Sequence, residues 1–305
     1  MMKKNCARLL AFVLSLLLLL PCAGLGETVV TSFYPIWLIT LNLTEGIDGI
    51  EVRNLAAPDT GCLHDYQLQT GDMKALSEAD FFLINGAGME SYLETVFSAF
   101  PDLPVISAAE GIPLLSGLDA LEIGEAEEDE EGVNAHIWLS AANAAAMADN
   151  LARALAEGMP QYADQLMDNL SAWTERMAVL DARLKEGLSE LPRREIVTFH
   201  EAFPYFAQAY GLHVAAVVNR DPGETLTPAQ MAELTETVRA LGNPPLFVEP
   251  QYEDLSARIL AAETGAPVYT LDPVVTGPET EVPLDYYETA MLENMRVLQE
   301  ALGGE

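Results

Sequence analysis

The apolar residues Tyr162, Leu166, Leu170, Trp173, Met177, Leu180, Leu184, Leu188 and Leu191 recur at steps of three or four. That spacing keeps them on one face of a single helix throughout. Pro160 suits a helix start and Pro192 is a breaker, so the helix would run for about 45 Å at about 1.5 Å per residue. An element of that length crosses a whole domain. Lying in mid-chain, it reads as a stiff backbone joining two lobes; an ordinary core helix of one domain is the alternative.

The flanking segments give each lobe the same plan. Short β-branched runs at Thr28–Phe33, Gly49–Leu55, Phe81–Ile84 and Pro104–Ser107 alternate with helical patterns such as Met73–Ala79 and Met89–Phe97. A second set of candidate strands follows at Glu195–Phe199, His213–Val218, Leu246–Val248 and Val268–Leu271. Alternating strand and helix argues for parallel sheets with covered faces. The fold expected is α/β: two Rossmann-like lobes, residues 27–158 and 192–305, joined by a rigid helix within residues 159–191. With 305 residues and 50% of them apolar, the chain can build two cores of ordinary size.

Residues 1–26 read as an address. Lys3, Lys4 and Arg8 precede an apolar run from Leu9 to Leu20, with small residues at Ala23, Gly24 and Gly26, the order of a secretory signal peptide. The run is short for a membrane span, which needs about 20 apolar residues. Leu19-Leu20-Pro21-Cys22 resembles a bacterial lipobox, with Pro21 where a small residue is expected. Lipid attachment at Cys22 and cleavage near Gly24 or Gly26 stay open as alternatives. In either case the folded body is exported, to the periplasm or the cell surface, with Cys62 as its one cysteine and no disulfide within it. The formal net charge of −32 repels nucleic acid and anionic lipid and gathers cations; an acidic exported protein needs no further role for it. The acidic run Glu122–Glu131, placed in the first lobe, reads as a solvated loop.

Four histidines carry the chemical signal. His64 follows the second candidate strand, His136 opens His-Ile-Trp-Leu, and His200 comes directly after Glu-Ile-Val-Thr-Phe. His213 begins a strand. Ligands of open parallel sheets gather beyond the carboxyl ends of strands, which favours His200 and His64 and disfavours His213. Glu249 and Asp272 end the last two strands. Imidazole nitrogen and carboxylate oxygen suit zinc, and three histidines with one carboxylate can close a tetrahedron. No His-Glu-x-x-His motif is present, so spacing alone leaves convergence of these groups open.

The segments Thr31-Ser-Phe-Tyr-Pro, Cys62-Leu-His-Asp-Tyr, Asn85-Gly-Ala-Gly-Met-Glu90, His136-Ile-Trp-Leu, Thr198-Phe-His-Glu-Ala-Phe203, Phe247-Val-Glu-Pro250 and Leu271-Asp-Pro occur in this order. As an ordered set they resemble the zinc and manganese solute-binding proteins of ABC importers. The resemblance implies metal ligands at His64, His136, His200 and Asp272. Glu249 falls in a motif that is usually structural in that family and stands second as the carboxylate. It further implies a receptor that passes its ion to a membrane permease without catalysis; the chain is expected to be a monomer, and its acidic charge implies no nucleic-acid partner.

Histidine at position 200 favours Zn(II) as the ligand carried, since manganese-selective relatives tend to place a carboxylate there; Mn(II) is the alternative. A zinc hydrolase is the rival from another class, but catalytic zinc keeps a position open to water, whereas four protein ligands close it. Two departures stand out. The loop Glu125–Glu131 carries no histidine where zinc-binding relatives often have many. Cys62, two residues before His64, reads first as a small buried residue, with a thiolate ligand or a redox-sensitive neighbour as alternatives.

Overall fold

The computed structural model describes residues 26–63, 66–115, 121–122, 133–218, 226–252 and 255–304. The signal segment with its lipobox Cys22, His64, and all of the acidic run beyond Glu122 lie outside the described residues.

The first lobe is built on four parallel strands: β1 (Glu27–Thr31), β2 (Ile50–Asn54), β3 (Phe81–Ile84) and β4 (Val105–Ser107). They are ordered β2-β1-β3-β4, with Val29 opposite Val52 and Phe81. α1 (Tyr34–Leu43), α2 (Thr70–Ser77) and α3 (Leu93–Ala99) connect them. Val29, Val30, Phe82 and Leu83 are fully buried, as expected for a parallel sheet covered on both faces.

After β5 (Leu121–Glu122) a short 3₁₀ turn, Ile137–Leu139, leads into α4 (Ala141–Gly158) and then α5 (Ala163–Leu188). The second lobe contains β6 (Glu195–Thr198), α6 (Pro204–Tyr210), β7 (His213–Val217), α7 (Pro228–Ala240), β8 (Leu246–Val248), α8 (Leu255–Thr264), β9 (Val268–Thr270) and α9 (Tyr286–Leu302). Its sheet is also parallel, ordered β5-β7-β6-β8-β9. The backbone of Leu121 and Glu122 therefore pairs with Ala216 and Val217 in the second sheet, although it precedes the long helix in the chain. The start of the acidic run thus contributes an edge strand to the second sheet rather than a loop to the first.

The long helix α5 covers 26 residues, about 39 Å at about 1.5 Å per residue. It is shorter than its apolar stripe because Pro160–Tyr162 forms a separate 3₁₀ turn and Ser189 closes the other end, its N–H donating to the Glu186 carbonyl. Leu166, Leu170, Trp173, Met177, Leu180, Leu184 and Leu188 are all buried. Trp173 Nε1 donates to the Ala144 carbonyl in α4 at 3.3 Å, and Asn169 Nδ2 caps α1 through the Leu43 carbonyl at 2.9 Å. Arg176 pairs with Glu288 of α9 and donates to Asn42 Oδ1 of α1. One helix is thereby fastened to elements from both ends of the chain.

A second joint lies at Trp138, which is fully buried. Its Nε1 donates to the Pro273 carbonyl beyond β9 at 2.8 Å, its own carbonyl accepts from Tyr287 Oη, and its ring meets Phe33 beyond β1 edge-on with centroids 5.2 Å apart. A buried indole with its N–H satisfied adds direction to its apolar contacts. Among the described residues no helix is long and apolar enough to cross a membrane.

Candidate metal centre

Three of the candidate groups are carried just beyond strand ends. β6 stops at Thr198 and His200 follows two residues later; β8 stops at Val248 and Glu249 is next; β9 stops at Thr270, with Asp272 beyond it. Cys62 lies on the segment after β2. His136 enters with the 3₁₀ turn, where buried Ile137, Trp138 and Leu139 anchor the chain. Asn85 Nδ2, donating to the Ala135 carbonyl at 2.9 Å, ties this segment to the end of β3.

His136 and His200 are 0% and 2% exposed. Their rings meet edge to face, centroids 4.8 Å apart. Asn134 Oδ1 lies 3.2 Å from His136 Nδ1 and also accepts the His136 backbone N–H at 3.0 Å, while Asn134 Nδ2 donates to the Glu201 carbonyl at 2.7 Å. These partners fix which amide atom is oxygen. An oxygen beside Nδ1 can only accept, so His136 Nδ1 carries the proton and donates. His200 Nδ1 likewise donates to Glu249 Oε1 at 2.8 Å. Glu249, 4% exposed, is itself held through Oε2 by Gln251 Nε2 at 2.7 Å. A neutral imidazole carries one proton; with Nδ1 protonated in both rings, each Nε2 retains its lone pair, the arrangement in which an outer partner orients a metal-binding ring.

Cys62 Sγ lies 3.4 Å from His136 Nε2. One ligand atom each from Cys62, His136 and His200 fall within 4.8 Å of one another, a grouping of metal-binding residue types among the described residues. Burial holds the titratable groups around them toward their neutral forms. Burial pushes the Cys62 thiol up, with Glu249 adding to the effect. Burial also raises the Asp272 carboxyl, opposed by the Val274 N–H and reinforced by Glu249. Tyr252 is raised by burial and then by Cys62 and Glu249. A cation placed among them would favour their deprotonated forms.

The site residues expected from the sequence separate into groups. His136 and His200 come together. His64 is outside the described residues; Leu63 beside it is fully buried. Asp272 is not part of the close group: its Oδ1 accepts from Val274 N at 2.7 Å, and Asn294 Oδ1 accepts its backbone N–H at 2.8 Å. Glu249 stands behind His200 as its hydrogen-bond partner. Cys62 is half-buried and faces the rings, and His213 is exposed at the start of β7. Asn134 and Gln251 were not singled out by sequence; the only local hint at Asn134 is a polar residue beside the apolar run that carries His136.

A family model described as zinc-uptake complex component A, periplasmic (ZnuA) matches residues 29–301. The chain is 26% identical over 284 residues to the zinc-binding lipoprotein AdcA of Streptococcus pneumoniae serotype 4, covering 91% of this chain and 56% of that protein. It thus spans about half the length of that curated relative. The iron-binding protein YfeA of Yersinia pestis is 30% identical over 240 residues, 78% of this chain and 74% of that one. A crystal structure of a ZnuA deletion mutant with zinc bound superimposes with a TM-score of 0.76 at 25% identity, covering 92% of this chain and 99% of that chain. Two parallel-sheet lobes, a long helix between them and a sequence match over nearly the whole folded body place this chain in the ZnuA family.

Proposed function

We propose that this chain captures a transition-metal ion, Zn(II) before Mn(II), outside the cytoplasm and hands it to the membrane permease of an ABC importer. The observation that carries the reading is the pair of buried imidazoles, His136 and His200, each with Nδ1 held by an acceptor and Nε2 keeping its lone pair for coordination. His64 is the third ligand in this proposal. Asp272 is the carboxylate that the family pattern would supply as the fourth. Nitrogen-rich donors favour zinc over manganese, which prefers oxygen. The YfeA relative is named for iron, so selectivity rests on this chain's own donors.

The reading is of binding without turnover. Family members are binding components of importers, and a site closed by protein ligands leaves no position for an activated water. Metal analysis of untagged protein after equilibrium dialysis against equimolar zinc and manganese tests it: about one equivalent of zinc per chain is expected from a single four-ligand site. Sub-stoichiometric metal, or esterase, phosphatase or peptidase turnover lost in His200→Ala, would overturn it.

A further inference from the structure

We infer that Cys62 Sγ, rather than an Asp272 oxygen, is the fourth ligand to the captured ion, giving a mixed sulfur and nitrogen site; this rests on the metal-capture reading above.

Geometry favours the sulfur. Around a tetrahedral zinc, with bonds of about 2.3 Å to sulfur and about 2.0–2.1 Å to nitrogen, a bound sulfur and a bound nitrogen stand about 3.5 Å apart. Cys62 Sγ and His136 Nε2 are 3.4 Å apart, so both can bind one ion with little movement of either. Cys62 is grouped with His136 and His200 within 4.8 Å; Asp272 is not. Asp272 Oδ1 accepts from Val274 N, and the adjoining backbone is locked to Asn294 in both directions.

The local backbone is shaped for this role. Gly61 has φ of +82°, a conformation that L side chains rarely adopt, and a Cβ there would lie 2.9 Å from Tyr252 Oη. Glycine therefore lets the segment turn sharply beneath Tyr252 and bring Cys62 against the rings. Because His136 Nδ1 already donates to Asn134, the short contact at Nε2 is a thiol S–H donating to the nitrogen lone pair. Binding replaces that contact: the S–H bond breaks, the proton leaves to solvent, and sulfur and Nε2 each form a bond to the ion with no change in oxidation state. A thiolate beside imidazoles selects zinc and other soft or borderline ions against manganese.

X-ray absorption at the zinc edge, with cobalt(II) substitution as an optical probe, tests this on the whole folded chain. In wild type the expected result is one sulfur scatterer at about 2.3 Å with nitrogen or oxygen at about 2.0–2.1 Å, and a sulfur-to-cobalt charge-transfer band in the near ultraviolet. Both signals should vanish in Cys62→Ser and Cys62→Ala but persist in Asp272→Asn. Zinc affinity should fall about tenfold or more in Cys62→Ser while manganese affinity changes little. Two substitutions at Cys62, each checked by thermal melting, separate ligand loss from misfolding. One equivalent of zinc bound with only nitrogen and oxygen neighbours would overturn the thiolate assignment and leave metal capture standing. Wild type that binds no zinc would overturn both.

Discussion

His200 Nδ1 donates to Glu249 Oε1 across 2.8 Å with both side chains almost wholly buried. The contact joins the end of β6 to the end of β8 and sets the tautomer of His200, with the proton on Nδ1. Removing such an outer partner typically weakens a metal site about 10- to 100-fold. Glu249→Ala and Asn134→Ala should each lower zinc affinity by about that factor, read by competition with a chromophoric chelator, with zinc stoichiometry unchanged. Wild-type affinity in both would mean that ring orientation is set elsewhere.

Proton competition follows from the same tautomers. A protonated imidazole cannot coordinate, so zinc affinity should drop as pH falls through the ordinary histidine range of about 6 to 7. A loss of about tenfold or more between about pH 7.5 and pH 5.5 is expected from isothermal titration. Equal affinity at the two values would exclude imidazole ligands.

Glu90 offers a titration unrelated to the metal. Burial raises its carboxyl to about 7, against the lowering effect of hydrogen bonds that include those from the Asn85 and Gly86 N–H groups. An acid whose folded value lies above its unfolded one favours the fold while protonated. Its contribution is fully present below the unfolded value of 4.5 and is lost as pH rises through about 7. Carboxyl-carbon NMR should show one glutamate with a midpoint near neutrality that disappears in Glu90→Gln. A midpoint in the ordinary carboxylate range would refute the assignment.

The helix α5 and the Trp138 joint should limit motion between the lobes. Small-angle scattering profiles with and without zinc are expected to coincide, in contrast to the wide hinge closure of other binding proteins; a marked fall in radius of gyration would contradict this. Met177, fully buried on that helix, should cost about 2–5 kcal/mol in Met177→Ala by urea unfolding, and a loss well below that range would mean the helix is not a shared core element.

Much of the fold could be read from the chain because its signals are local. The buried apolar runs of β1, β3, β6 and β8 need both faces covered, and the stripe from Leu166 to Leu188 has one period throughout. The two-residue β5 could not be read, since Leu121 and Glu122 begin an acidic run and pair only through tertiary contact with β7. At the site, His136 and His200 were recognisable as ligand types after strands or before an apolar turn. The partners were not: Asn134 acts on His136 because its amide is also tied to Glu201, a contact 67 residues away in sequence. Cys62 carried no periodic signal, and it follows a left-handed glycine, Gly61, whose built Cβ would crowd Tyr252.

The most direct test is zinc content of untagged wild type, His136→Ala and His200→Ala after dialysis against a weak chelator, alongside circular dichroism to confirm folding. About one equivalent is expected in wild type and little in either folded variant. Full zinc occupancy in both variants would show that these two imidazoles do not hold the ion.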